Sequence, residues 1–252
     1  MIPKIIHLCW LSGDKFPSDI QTCIDTWHEK LPDYEIILWD RKRFDINSTP
    51  WVKEACEAKK YAFAADYIRL YALYNYGGIY LDSDVIVYKS FNNLLHLPYF
   101  IGEDQCSNFE PAIIGTEKKN PWIKCVLDRY ENRHFCKTNG DFDIQPLPVV
   151  FVKTLSHYTF KKVACINSGY NEDGSIYIFS KKYINSRNYI GTIRTRDSYC
   201  SHAYKGSWTS KNIDVKSKIK RILPSWALNI CFLLMALVKY KQHHRYSIPY
   251  KK

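Results

Sequence analysis

The run from Tyr61 to Tyr88, YAFAADYIRLYALYNYGGIYLDSDVIVY, constrains this chain more than any other stretch. Its apolar residues first recur at helical spacing, the pattern breaks at Gly77-Gly78, and a short apolar strand follows. Glycine is favoured where a helix ends in left-handed backbone. The strand carries Asp82 and Asp84. On an extended chain, side chains two apart project to one face, which brings both carboxylates together and turns Ser83 away. Two anions side by side at a buried strand end repel each other and lose hydration, and a divalent cation is the simplest compensation. In the preceding helix, Asp66 and Arg69 are three apart and share a side. They read either as a surface ion pair worth under ~1 kcal/mol or as groups facing the same pocket as the aspartates.

Upstream, Pro3 to Trp10 reads as a buried strand, Ser18 to Lys30 as a helix with Ser18 as its N-cap, Tyr34 to Trp39 as a second strand, and Pro50 to Lys59 as another helix. Strands alternating with helices predict an α/β fold, a parallel sheet with helices on its faces. Ligands gather at the carboxyl ends of such strands, where Trp10, Asp40 and the Asp82/Asp84 pair all fall. Downstream, strands are predicted at 100–101, 112–115 and 176–179, and a helix over Asn120–Tyr130 with Pro121 at its first position. Residues 149–155 fit strand or helix. The segment YCSHAYKGSW, Tyr199 to Trp208, is crowded with ligand-type residues.

The chain has 252 residues and a net charge of +11, unevenly placed. From Ile213 to Lys252 there are nine Lys/Arg against the single Asp214, a net of +8 that leaves +3 for the first 212 residues. This pattern does not suggest a nucleic-acid groove across the body. It divides the chain into one domain over 1–212 and a basic tail over 213–252. Within the tail, the apolar run Trp226 to Val238 is too short to cross a ~30 Å hydrocarbon core. Its basic flanks and leading Trp fit a helix lying on an anionic membrane surface, the alternative being a helix packed on the domain. Nine scattered cysteines without a C-x-x-C pair suit a reducing compartment. The amino terminus shows no secretion signal, so the expected location is cytoplasmic, peripheral on the inner face of the membrane.

A D-x-D after an apolar strand has two chemical uses. Its hard oxygens can hold Mn²⁺ or Mg²⁺ and leave positions for diphosphate oxygens. Alternatively Asp82 of LDSDV is a phosphoryl-accepting nucleophile of a phosphatase or phosphotransferase, with Asp141, Asp143, Glu172 and Asp173 as scattered downstream acids. A non-catalytic membrane- or carbohydrate-binding protein is a third reading, but it leaves the paired aspartates without a purpose.

IPKIIHLCW, YEIILWD, AFAADYIRLYALYNYGGIYLDSDV and SHAYKGSW together resemble one sugar-transferase family, glycosyltransferase family 32. It includes yeast initiating α-1,6-mannosyltransferases, bacterial capsular-polysaccharide transferases and, distantly, the glycosylating domain of large clostridial toxins. The resemblance is close over roughly residues 2–95 and returns at 199–208. It implies a GT-A fold, a nucleotide-sugar donor, Mn²⁺ or Mg²⁺, and retention of anomeric configuration. By the same resemblance, Trp10 stacks on the donor's base, and Asp66 and Arg69 meet its sugar and diphosphate. Asp82 touches ribose and metal-bound water, and Asp84 binds the metal. His202 is a candidate third ligand or else a surface histidine. Lys205 grips the diphosphate, with Ser207 near the metal and Trp208 near the leaving phosphate. Two departures bear on sugar choice: Ala65 stands where many relatives have Ser, and Gln145-Pro146 stands where Gly-Pro is usual. The implied activity is a retaining hexosyl transfer, from a UDP-sugar ahead of a GDP-sugar, to a lipid-linked capsular or lipopolysaccharide precursor.

Overall fold

The computed structural model describes residues 1–104, 107–163, 173–186, 194–203 and 248–250. Strand β1 (Ile5–Cys9) leads to helix α1 (Ser18–Lys30), β2 (Glu35–Trp39), α2 (Pro50–Glu57) and α3 (Tyr61–Tyr76). After these come β3 (Gly78–Leu81), β4 (Val85–Val87), β5 (Tyr99–Glu103) and β6 (Phe109–Thr116). Helices α4 (Pro121–Asp128) and α5 (Leu147–Thr154), then β7 (Phe160–Val163), β8 (Ile176–Phe179) and β9 (Cys200–His202), complete the described chain.

Seven strands form one sheet in the order β2-β1-β3-β6-β5-β8-β7, and β4 pairs with β9 in a small second sheet. The expected α/β organisation is present, but the sheet is mixed. β2, β1 and β3 are parallel, β6 runs antiparallel between β3 and β5, and β5, β8 and β7 are again parallel. The reversal is made by β6, which folds back antiparallel on β5 and inserts between it and β3. Period-two alternation sorts the sheet residues between two cores. Ile6, Leu8, Ile79 and Leu81 meet α1 through Ile20, Ile24 and Trp27, whereas Tyr80, Ile101 and Ile114 meet α2–α5.

Local chemistry sets the helix limits. The expected cap by Ser18 is not found: Pro17 holds the N-cap position without a side-chain bond, and Ser18 opens the helix. In α2 the Thr49 hydroxyl accepts from Val52 N–H with Pro50 first in the helix, and Asn120 with Pro121 does the same for α4. Of residues 149–155, which fit strand or helix, 149–154 are helical within α5 and Leu155 caps it. Of the tail, only 248–250 are described. Ile248 is buried, Tyr250 bridges Phe160 beside β7, and the Tyr250 hydroxyl donates to Glu103. No helix among the described residues is long and apolar enough to cross a membrane.

Candidate metal and donor site

β3 stops at Leu81, so Asp82, Ser83 and Asp84 are not extended chain but a turn into β4, closed by Val85 N–H donating to the Asp82 carbonyl at 3.0 Å. The aspartates converge because of this turn and its two backbone clamps, not because of strand alternation. Asp82 N–H donates to the Ala112 carbonyl on β6 at 2.9 Å, and Ala203 N–H donates to the Asp84 carbonyl at 2.9 Å. The second clamp is an extension of the β4–β9 pairing, which sets His202 opposite Val85. Two segments distant in sequence, the DXD turn clamped by β6 and the end of β9, thus deliver Asp82, Asp84 and His202 to one point.

Their candidate ligand atoms all lie within 4.8 Å of one another. His202 Nε2 is 3.1 Å from Asp84 Oδ1 and 4.0 Å from Asp82 Oδ2. Two ligands on adjacent octahedral positions around a small divalent ion are about 3 Å apart, so the donor set fits such an ion. Hard carboxylate oxygens plus one imidazole suit Mn²⁺ better than Mg²⁺. His202 is therefore no surface histidine. Burial disfavours its charged form, yet Glu110 and Asp84 together raise its pKa well above the ordinary value of 6.5.

Behind the aspartates, α3 presents Asp66 and Arg69, both buried. Arg69 Nη2 lies 3.1 Å from Asp66 Oδ1 and 3.2 Å from Asp82 Oδ1. Its Nη1 donates to the Pro111 carbonyl at 2.8 Å, and the guanidinium sits 4.5 Å from the Tyr80 ring centroid. The surface-pair reading of Asp66 and Arg69 is excluded by this enclosure. Burial pushes the Asp66 carboxyl up to about 7, Arg69 pulls it down, and Asp82 adds to the rise. The Tyr80 hydroxyl donates to Asp82 Oδ1 at 2.9 Å.

Trp10 stands at the carboxyl end of β1, half-buried. Its indole N–H donates to the Asp14 carbonyl at 2.8 Å and its ring meets Phe16 edge-on at 4.9 Å. No hydrogen bond or ion pair among the described residues joins it to the carboxylates. Asp40 has a structural task, accepting from the backbone N–H groups of Lys42 and Arg43. Lys205, Ser207 and Trp208 lie outside the described residues. Sequence reasoning missed Tyr80, Glu110 and Asn185. Glu110 left one signal, a lone charge in the apolar strand FEPAIIGT.

Residues 17–101 match the family described as "Glycosyltransferase sugar-binding region containing DXD motif". Inositol phosphoceramide mannosyltransferase 3 of Schizosaccharomyces pombe is 34% identical over 145 residues, 53% of this chain and 40% of that protein. An uncharacterized glycosyltransferase of Acanthamoeba polyphaga mimivirus is 25% identical over 224 residues, 82% of this chain and 84% of that one. Among solved structures, "PaToxG Glycosyltransferase" is 23% identical with a TM-score of 0.45, covering 62% of this chain and 69% of that chain. The match to the fission yeast relative thus takes in less than half of that protein's length. The DXD turn lies inside the stretch that matches the DXD-containing glycosyltransferase sugar-binding region, and both of its aspartates stand beside His202.

Proposed function

We propose that this chain is a metal-dependent, retaining glycosyltransferase that moves a hexose from a nucleotide-sugar to a glycan acceptor. The observation that carries the reading is the convergence of Asp82, Asp84 and His202 beside the Asp66/Arg69 pair. Asp84, Asp82 and His202 would hold Mn²⁺ or Mg²⁺, which supplies charge neutralisation for a departing diphosphate. Asp66 would accept hydrogen bonds from sugar hydroxyls. Arg69, which shares its terminal nitrogens among Asp66, Asp82 and Pro111, would position the two carboxylates and offer its charge to the departing diphosphate. Lys205, Ser207 and Trp208 remain proposed for the diphosphate side, and Trp10 for the base. Transfer would proceed on one face of the sugar, the leaving diphosphate assisting deprotonation of the incoming hydroxyl. A trapped covalent glycosyl-aspartate would contradict that step.

The fission yeast relative is named for mannosyl transfer to inositol phosphoceramide, which brings mannose into the donor panel alongside UDP-sugars and favours an acceptor carried on a polar lipid; a lipid-linked capsular or lipopolysaccharide precursor is the acceptor class proposed. Peripheral attachment to an anionic inner membrane face rests on the composition of 213–252. The test is release of nucleoside diphosphate from UDP- and GDP-hexoses with Mn²⁺. Turnover should require the ion and vanish in Asp84→Ala. Aryl-phosphate hydrolysis without nucleotide-sugar turnover would instead establish the Asp82-nucleophile reading.

A further inference from the structure

Glu110 is 2% exposed and Asn185 is fully buried, and neither belongs to the matched sugar-binding region. Yet they close a ring of hydrogen bonds with His202. His202 N–H donates to Asn185 Oδ1 at 3.0 Å. Asn185 Nδ2 donates to Glu110 Oε2, and Glu110 Oε1 lies 3.2 Å from His202 Nδ1. The Ala112 N–H donates to the same Glu110 oxygen at 3.3 Å.

The direction of every bond in this ring is forced. A backbone N–H can only donate, so Asn185 must turn its carbonyl oxygen toward it. The amide NH₂ then faces Glu110, which must accept there. A carboxylate accepts at both oxygens, so Glu110 Oε1 accepts a hydrogen bond from His202, and Nδ1 carries the hydrogen. Nε2 is left as the nitrogen that faces Asp84 and Asp82. Asn185 holds its place with φ +66°, a backbone region that Asn tolerates well, and its neighbour Ser186 N–H donates to the Cys200 carbonyl on β9 at 3.1 Å.

We propose that Glu110 and Asn185 are positioning residues for the metal site, fixing the His202 ring as its Nδ1–H tautomer so that Nε2 is presented to the ion held by Asp82 and Asp84. The proposal rests on the metal-dependent reading above and deepens it. Hydrogen-bonded partners behind a ligating imidazole set its orientation and basicity, and losing one costs about 10- to 100-fold in metal affinity. A glutamine at 110 cannot satisfy the ring of bonds. With its oxygen toward His202, two NH₂ groups meet at Asn185. With its NH₂ toward His202, the imidazole must shift its proton to Nε2 and cease to be a ligand.

The readout is Mn²⁺ binding to the purified full chain, followed by the electron paramagnetic resonance of free Mn²⁺, with thermal unfolding recorded alongside. Glu110→Gln is expected to weaken binding about 10- to 100-fold. Asn185→Gly, which suits the left-handed backbone, should weaken it in the same direction and carries the test if Glu110→Gln does not fold. In a His202→Ala background, Glu110→Gln should change affinity less than about twofold, since the ring that transmits its effect is gone. Unchanged Mn²⁺ affinity in the folded variants, or an equal loss with and without His202, overturns the proposal and leaves Glu110 a structural carboxylate. Asp84→Ala separates the two levels. Binding lost there but intact in Glu110→Gln removes the positioning role alone. No Mn²⁺ binding by the wild-type chain, or binding that Asp84→Ala leaves intact, removes the metal-dependent reading as well.

Discussion

Arg69 reaches Asp82 at 3.2 Å through the same guanidinium nitrogen that lies 3.1 Å from Asp66, so one buried cation ties α3 to the DXD turn. Arg69→Met would leave two carboxylates facing each other without a counter-charge. Breaking a buried pair by removing one partner costs about 3–5 kcal/mol. Asp82 keeps 26% of its side chain exposed, which argues for the lower end. A loss of about 3 kcal/mol lowers the unfolding temperature of a chain this size by roughly 6–12 °C. Arg69→Lys should fall between, because an ammonium cannot span Asp66, Asp82 and Pro111 at once. Calorimetry showing Arg69→Met as stable as the wild type would refute the network.

Tyr80 supplies a second donor to the Asp82 oxygen that Arg69 approaches, leaving Oδ2 as the atom nearer His202. Tyr80→Phe retains the ring beneath the guanidinium and removes only the hydroxyl. The expected cost in stability is about 0.5–1.5 kcal/mol, with donor hydrolysis down by about 3- to 10-fold as the carboxylate gains freedom to turn. Urea unfolding and initial rates, measured on one preparation, check both numbers. An unchanged rate would mean that Arg69 alone orients Asp82.

The local half of this architecture was legible in the sequence, and the long-range half was not. The apolar periods of α1 and α3, the Pro50 and Pro121 helix starts, and the Gly77-Gly78 stop each depend on neighbours along the chain. Asp66, Arg69, Asp82 and Asp84 come from that same continuous stretch, and the site gathers all four. The antiparallel insertion of β6 depends on where the chain returns after the aspartates, which no periodicity records. The strand alternation offered for Asp82 and Asp84 reached the right neighbourhood by the wrong geometry, since a turn does the work. Glu110 and Asn185 meet His202 across separations of 92 and 17 residues, and Asn185 has nothing in its surroundings to mark it.

Two buried groups give stability opposite dependences on pH. Burial holds His7 down to about 4, the bond to the Gly77 carbonyl opposes this, and Arg43 adds to the lowering. Trp39 Nε1–H donates to His7 Nδ1 at 3.1 Å, so Nε2 carries the hydrogen bonded to Gly77 and the ring is neutral. The unfolded chain takes up this proton near 6.5 and the folded chain only near 4. Stability from His7 is thus complete above pH 6.5 and lost as pH falls toward 4, by up to about 3 kcal/mol. Asp66, held up to about 7, binds its proton more tightly when folded, so its contribution is lost as pH rises from about 4 to 7. Each is isolated by difference. The stability gap between wild type and His7→Gln should narrow on acidification from pH 6.5 to 4.5, and that between wild type and Asp66→Asn should narrow as pH rises over the same range. Parallel urea midpoints for all three proteins across the range would rule out both assignments.

Gly78 begins β3 with φ +99°, and a Cβ there would stand 2.7 Å from the Ile5 carbonyl oxygen and 3.2 Å from His7 Nε2. Neither neighbour can yield easily, since Ile5 is in the paired β1 strand and His7 is bonded to Gly77 and Trp39. Gly78→Ala therefore meets both backbone strain and a clash, for a cost of about 2–4 kcal/mol. Gly140 is the control: its φ is +84°, but a Cβ there meets nothing within 4 Å. Gly140→Ala should cost only about 1 kcal/mol from strain alone. The urea midpoints of the two variants measure the difference. Gly78 also sets where β3 starts, and the three residues after it lead directly to Asp82. Donor turnover per folded molecule should consequently fall in Gly78→Ala and hold in Gly140→Ala. Equal midpoints would mean that β1 and β3 can separate without loss, and that the close approach at Gly78 does not set the placement of the DXD turn.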